Sequence, residues 1–196
     1  MDTYQSVYEK FKALPGSQHI AGVVTLKRIS EIVDELQPKR VLELGVGIGT
    51  ITYLLLATTN AHVDTYEPNE FCISALTENL SRFKDRYTLL TSYKQLPPES
   101  AYDLVVIDGG AGSQDDTGYM RAAYLILLSL DTVRVVIVEG HRKGQNTYVR
   151  RALAERYVYK RKRENIDHGY TEYYLKKEKS LLKRIGLYFY WKLRLR

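Results

Sequence analysis

A short glycine-rich segment carries the most specific chemistry in this sequence. Gly45, Gly47 and Gly49 alternate with other residues directly after an apolar run, and Glu43 stands two positions before the first of them. Glycines in such a turn let the backbone bend tightly and let a ligand approach the N-terminus of the next helix without a Cβ in the way. The carboxylate would repel a diphosphate but attract a cationic group. The segment therefore predicts a nucleotide-like ligand and disfavours a nicotinamide dinucleotide.

Further acidic groups and one imidazole follow other apolar runs. Glu67 ends the second run and Asp108 the fourth, while Glu139 and His141 end the fifth. Carboxylates and a histidine that titrates near neutral pH are common general bases. Because ligands of open α/β sheets bind outside the carboxyl ends of the strands, we predict that Asp108, Glu139 and His141 are catalytic.

The elements that must position these residues follow from the alternation of β-branched runs with amphipathic stretches. Strands are predicted at residues 40–44, 62–66, 87–91, 103–107 and 134–138, and helices at 22–36, 50–58, 69–83, 116–130 and 146–156, with Asn69 and Asn146 or Thr147 as start signals. Runs at 157–164 and 171–176 flank a turn and predict a closing antiparallel β-hairpin. The predicted fold is α/β, a Rossmann-like seven-stranded, mostly parallel sheet with helices on both faces.

These motifs resemble those of the class I S-adenosylmethionine-dependent methyltransferases. The first motif of that family is an acidic residue, one spacer and G-x-G-x-G, which residues 43–49 match. Glu67, 22 residues after Gly45, stands where the family binds both ribose hydroxyls, and Asp108 with Gly109 looks like its fourth motif. The likeness covers residues 40–176 and implies that S-adenosylmethionine is bound by Glu43, Gly45, Gly47, Gly49, Glu67, Ser92 and Asp108. Ser92 departs from the pattern, because family members often carry an acid there that contacts the adenine amino group.

Within that family the chain most resembles the catechol-type O-methyltransferases, by its N-terminal helix and the Asp-Gly at the fourth strand. Those enzymes bind magnesium with this Asp and with an Asp-Asn pair after the fifth strand. Glu139 and Gly140 stand in place of that pair, so one ligand is missing. Magnesium requires several oxygen ligands in near-octahedral geometry, many of which water can supply, so a divalent metal stays an open alternative that is not favoured, and no metal ligand is assigned. The resemblance implies a methyltransferase that acts on an oxygen of a small or carrier-linked acceptor.

The charges of the chain are unevenly distributed. Residues 1–140 carry 12 Lys or Arg against 18 Asp or Glu, whereas residues 141–196 carry 17 against 5. This asymmetry favours an anionic partner for the C-terminal segment, although a solvated basic face explains it equally well. Beside His141, we predict that Arg142, Lys143 and Gln145 form a positive rim that attracts an anionic acceptor such as a sugar or a metabolite.

Two alternatives to a small acceptor stay open. The first is RNA ribose 2′-O-methylation, for which one subfamily uses a Lys-Asp-Lys-Glu tetrad, and Lys27, Asp108, Lys143 and Glu172 occur in suitable order. The basic C-terminal segment would suit RNA phosphates. The second is a catalytically inactive module that binds the cofactor and uses its tail for association.

Three parts are predicted along the chain: residues 1–39 as N-terminal helices that cap the cofactor site, 40–177 as the methyltransferase core, and 178–196 as a basic amphipathic tail. The tail would pack on its own domain or on a second subunit, or lie peripherally on an anionic membrane. The first twenty residues show no secretory pattern and no apolar run is long enough to span a bilayer, so we expect a cytoplasmic protein. The single cysteine, Cys72, excludes an internal disulfide framework.

Overall fold

The computed structural model of the chain describes residues 3–92, 95, 102–109, 127, 131–154 and 157–177. Its described strands form one seven-stranded sheet of order β3-β2-β1-β4-β5-β7-β6. They are β1 (Arg40–Leu44), β2 (His62–Tyr66), β3 (Tyr87–Leu90), β4 (Leu104–Ile107), β5 (Val135–Glu139), β6 (Tyr157–Glu164) and β7 (Tyr170–Lys177). The first five strands are parallel, and β7 is antiparallel to both β5 and β6. The predicted mostly parallel sheet with a closing hairpin is confirmed.

Helices cover both faces of this sheet, as predicted. Within the described residues they are α1 (Tyr4–Lys12), α2 (Val23–Leu36), α3 (Thr50–Thr58), α4 (Glu70–Asn79) and α5 (Lys143–Ala154). Apolar side chains of α1 to α4 share a core with one face, and those of α5 share a core with the other. Of the predicted helix 116–130, only Leu127 is described, and it is helical and buried in the second core. The remainder of that helix lies outside the described residues.

The helix starts show where local signals succeed and where they fail. Asn69 caps α4 as predicted, because its side chain accepts a hydrogen bond from the Cys72 backbone N–H. The predicted start of α5 is wrong, since the helix begins at Lys143 and not at Asn146 or Thr147. The side chains of those two residues donate hydrogen bonds backwards, to the carbonyl oxygens of Arg142 and Lys143. This is a pattern of helix interiors, not of caps.

The strand register brings the predicted site residues to one edge. Leu44 at the end of β1 is aligned with Tyr66 and Ile107, and Ile107 is aligned with Val138. The residues that follow these positions therefore meet at the carboxyl edge, namely Gly45, Glu67, Asp108 and Glu139. The chain order reverses between β1 and β4, and open α/β sheets bind ligands at such a switch point.

The N-terminal helices pack on one face of the sheet. Helices α1 and α2 contribute Phe11, Leu26 and Ile29 to the same core as the sheet. The predicted tail, residues 178–196, lies outside the described residues. In the part of the chain that the structure describes, no helix combines the length and the apolar character that crossing a membrane requires.

Candidate functional site

The glycine turn (residues 45–49) is closed against the end of β4. Gly45 has φ +83°, and a Cβ built there would lie 1.6 Å from the Asp108 carbonyl oxygen. No side chain fits between these two segments. Gly47 has φ +56°, yet a Cβ built on it would meet nothing within 4 Å. The turn thus packs tightly on the sheet at Gly45 and leaves open space at Gly47.

Glu67 lies directly beside this turn and is 7 % exposed. Its two carboxylate oxygens accept hydrogen bonds of 2.9 Å from the backbone N–H groups of Gly47 and Asn69. A carboxylate oxygen has two lone pairs, so each keeps one acceptor position for a hydroxyl. The predicted ligand-binding acid is therefore held rigidly in a position where it can bind a diol.

Glu43 is fully buried on the face of the sheet that carries α3. One of its oxygens accepts a hydrogen bond from the Thr52 hydroxyl, and Oε1 has no hydrogen-bond partner. Burial raises the pKa of Glu43 well above its ordinary value, the Thr52 hydroxyl opposes that shift, and the negative charges of Asp108 and Glu67 add to it. An unpartnered buried carboxylate oxygen costs free energy, which a cationic ligand group would offset.

Asp108 and Glu139 form a buried carboxyl pair bridged by an arginine. They are 8 % and 5 % exposed. Arg142 Nη2 lies 3.4 Å from Asp108 Oδ1 and 3.2 Å from Glu139 Oε2. Burial and the neighbouring Glu139 raise the pKa of Asp108 well above its usual range, against the opposing effects of Arg142 and the Gly109 N–H. The oxygens of the two carboxyls therefore lie close together in one buried site, where they are candidate proton acceptors.

His141, the third predicted catalytic residue, is exposed and faces the hairpin. Its Nδ1 lies 3.0 Å from Arg163 Nη2. Arginine has no acceptor, so Nδ1 accepts and the ring proton is on Nε2. The hairpin therefore engages Nδ1 of His141, and the catalytic role of His141 stays a prediction.

Ser92, the predicted adenine contact, is half-buried after β3. The Ser92 and Thr91 backbone N–H groups both donate to Gln95 Oε1, at 2.9 and 2.7 Å. Gln95, which the motifs do not single out, therefore shapes this loop.

The predicted positive rim after β5 is only partly present. Arg142 turns inward to the carboxyl pair, and Gln145 is buried and donates to the Gly109 carbonyl oxygen. Only Lys143 of the three is exposed. The rim prediction is wrong for the other two because the buried acids and the Gly109 carbonyl are stronger partners than water for their donors.

A different positive surface lies on the hairpin. Arg161 and Arg163 of β6 are exposed and aligned with Tyr173 and Thr171, on the face that carries α5. Burial raises the pKa of Tyr173, and the positive charges of Arg161, Arg150 and Arg163 oppose that shift. These three arginines therefore lie close enough to the Tyr173 phenol to interact with it electrostatically. We call Arg161 and Arg163, together with Arg150 of α5, the β6 basic face. The described residues of α5 and this face of the hairpin include no acid.

The Lys-Asp-Lys-Glu tetrad is not assembled. Glu172 is fully buried and accepts a hydrogen bond of 2.7 Å from Arg28 Nε on α2. Lys27 is 59 % exposed and pairs with Glu31 at 3.9 Å. The order of the four residues along the chain therefore does not translate into one site.

In the catechol-type enzymes a magnesium ion would lie beside Asp108 and the residues that follow β5. In the described ranges, no three or more His, Cys, Asp or Glu side chains are grouped so that they could hold a metal. The Arg142 guanidinium lies within 3.4 Å of both acids at the carboxyl edge, so these residues do not fit a divalent ion.

Comparisons with known proteins identify the fold. No family model and no curated protein sequence matches the chain. Solved structures that match include a Podospora anserina methyltransferase with S-adenosylhomocysteine (TM-score 0.67, 16 % identity, 90 % of this chain and 89 % of that one). A Bacillus cereus O-methyltransferase with the same ligand matches with a TM-score of 0.65 and 19 % identity, over 90 % of this chain and 92 % of that one. A candidate RNA methyltransferase from Pyrococcus horikoshii matches with a TM-score of 0.62 and 16 % identity, over 89 % of this chain and 98 % of that one. The chain has the class I methyltransferase fold, as its motifs predict.

Proposed function

We propose that this protein transfers the methyl group of S-adenosylmethionine to an oxygen of an anionic small or carrier-linked acceptor. The observation that carries the proposal is the glycine turn, closed on Asp108, with Glu67 hydrogen-bonded to its backbone and the unpartnered Glu43 oxygen buried beside it. Two of the structures that share this fold contain S-adenosylhomocysteine. S-Adenosylmethionine supplies an activated methyl group, so the protein has mainly to align two atoms.

The residues of the site divide this task. Glu67 would accept both ribose hydroxyls, the space over Gly47 would admit the cofactor, and the negative charge of Glu43 would attract its cationic groups. Asp108 and Glu139 would accept the acceptor hydroxyl proton as the new C–O bond forms and the C–S bond breaks. Ser92 stays a proposed adenine contact.

The first prediction is cofactor binding through Glu67. Wild type should bind S-adenosylmethionine and S-adenosylhomocysteine in titration calorimetry, and Glu67→Gln should bind each about tenfold or more weakly, because hydrogen bonds to a charged group are lost. Glu70→Gln is the matched control, since Glu70 is an exposed acid three residues away. Folded wild type that binds neither compound at millimolar concentration contradicts the proposal.

The second prediction uses the pH dependence of stability. A carboxyl whose folded pKa exceeds its unfolded value binds its proton more tightly when folded, so its contribution to stability is complete below the unfolded pKa and is lost as pH rises through the folded pKa. Since burial raises the pKa of Glu43, Glu43→Gln should have a higher free energy of unfolding than wild type at pH 8. The difference should vanish towards pH 4.

Urea unfolding across this pH range measures the change in stability. Titration calorimetry on the same variant measures its affinity for S-adenosylmethionine. We expect weaker S-adenosylmethionine binding in the more stable variant. A variant that is less stable at pH 8 and unchanged at pH 4 would show that the Glu43 charge is satisfied within the fold.

The third prediction concerns the acceptor. Incubation with methyl-labelled cofactor and fractionated cell extract should place the label in small or carrier-linked anionic molecules. Since Arg142 points to the carboxyl pair, Lys143 and Arg163 are exposed cations near the carboxyl edge, and exposed Arg161 lies on the same face of β6 as Arg163. Arg161→Gln/Arg163→Gln should therefore slow labelling, whereas Lys160→Gln/Lys176→Gln, an equal charge change on the opposite face, should not.

Ribose 2′-O-methylation is the second candidate, and the charge excess of the C-terminal segment favours it. If nuclease treatment releases the label, the acceptor is RNA and not a small molecule. Cofactor binding without label in any fraction would favour the inactive module.

A further inference from the structure

The carboxyl pair at the carboxyl edge of β4 and β5 poses an electrostatic problem. Asp108 and Glu139 follow aligned positions of neighbouring strands, and each is more than nine-tenths buried. Two carboxylates in one buried site repel each other, and their charges lose hydration. A cation beside the pair offsets this repulsion, and that cation can be a metal ion or a side chain.

Arg142 supplies that cation through three contacts. Its Nη2 approaches Asp108 Oδ1 at 3.4 Å and Glu139 Oε2 at 3.2 Å, and its Nε donates to the Glu139 carbonyl oxygen at 3.2 Å. Gly140, between Glu139 and Arg142, has φ +72°, a backbone conformation that favours glycine, and a Cβ built there would be in ordinary van der Waals contact with Arg142 Nε at 3.5 Å. The side chain is 28 % exposed, so the guanidinium closes the outer side of the pair.

The oxygens that Arg142 contacts are also the kind that a divalent ion would use. Two carboxylates and one backbone carbonyl are hard oxygen ligands, and water can complete an octahedron around them. A guanidinium carries its positive charge at every accessible pH. Its charge repels a second cation and its nitrogens already occupy these acceptors, so Arg142 and a metal exclude each other.

We propose that Arg142 is a built-in cation that replaces a divalent metal at the Asp108–Glu139 pair. Arg142 is a positioning residue, because it acts through the two carboxyls. It holds their oxygens in one orientation towards the acceptor and offsets their charge. This inference rests on the proposed methyl transfer for its catalytic consequence, but the metal exclusion can be measured without any reaction.

The test compares Mn²⁺ binding by wild type and by Arg142→Ala, with Lys143→Ala as the control for loss of one exposed positive charge next in sequence. Binding is measured by electron paramagnetic resonance of free Mn²⁺ and by the shift of the thermal midpoint. We expect Arg142→Ala to bind Mn²⁺ at least tenfold more tightly than the other two proteins and to gain thermal stability from it. Arg142→Lys, which keeps the charge, should behave like wild type.

Equal Mn²⁺ affinity in wild type and Arg142→Ala would overturn the inference. If Arg142→Ala does not fold, measurements on wild type decide. Tight Mn²⁺ binding by wild type would contradict a built-in cation. So would methyl transfer that a chelator abolishes and Mg²⁺ restores. Retained transfer in chelator and weak Mn²⁺ binding support it. If the Mn²⁺ results are as expected but no methyl transfer is detected, the proposed function is contradicted, whereas the exclusion of the metal by Arg142 is supported.

Discussion

Replacing Gly45 by alanine is expected to cost about 3 kcal/mol or more of unfolding free energy, and the variant will be largely unfolded if the protein has ordinary marginal stability. Two effects add. The backbone has φ +83°, where an L side chain costs roughly 1–2 kcal/mol. The new Cβ would also lie 1.6 Å from the Asp108 carbonyl oxygen, so β1 and β4 must separate at their carboxyl ends. Urea unfolding followed by circular dichroism measures the loss.

Gly47→Ala is the matched control within the same turn. Its Cβ meets no protein atom within 4 Å, so only the cost of positive φ remains, about 1–2 kcal/mol. The variant should fold but bind S-adenosylmethionine at least tenfold more weakly, because the methyl group enters the proposed cofactor space. Gly144→Ala, in α5 with open space around it, should lose no stability. If Gly45→Ala and Gly47→Ala were equally stable, the close approach of the turn to β4 would be wrong.

The fold could be predicted because its signals are local. The sequence predicts the first two strands at residues 40–44 and 62–66, and β1 and β2 have these bounds. Nearly continuous apolar runs are typical of strands buried on both faces, and all residues of β4 and β5 are buried. The prediction failed by three residues at α5, where Asn146 and Thr147 look like caps but their side chains bond to the preceding turn.

The candidate site divides into a part that local pattern reveals and a part that it does not. Glu67 and the glycine turn are recognisable from residue type and spacing, and the structure brings them into contact. The direction of a long side chain is set by tertiary partners instead. The sequence predicts Arg142 as an exposed cation, but its guanidinium pairs with Asp108, 34 residues earlier in the chain. His141 reads as a general base, but the hairpin places Arg163 on its Nδ1.

A buried arginine partner also explains why the RNA tetrad cannot be inferred from residue order. Glu172 lies in a strand that pairs with a basic one, and the sequence gives no sign that α2 covers it. Arg28 reaches it from that helix, 144 residues earlier in the chain. An acid with such a partner is a structural element of the sheet–helix contact, and removing Arg28 would leave this buried charge with only the 3.7 Å ion pair to Lys162.

Asp108→Asn is expected to lower the rate of methyl transfer by about 10²-fold while the thermal midpoint stays nearly unchanged. The amide keeps an oxygen for Arg142 but cannot accept the acceptor proton.

Glu139→Gln, the neighbouring change of the same kind, should give a similar loss, since both carboxyls share one guanidinium. If the two act as one base, the double variant should be no slower than the slower single variant, because groups that act as a unit are not additive. Initial rates with labelled cofactor and the acceptor fraction measure all three. A double variant near 10⁴-fold slower would assign the carboxyls separate tasks, and a wild-type rate in Asp108→Asn would remove Asp108 from the chemistry.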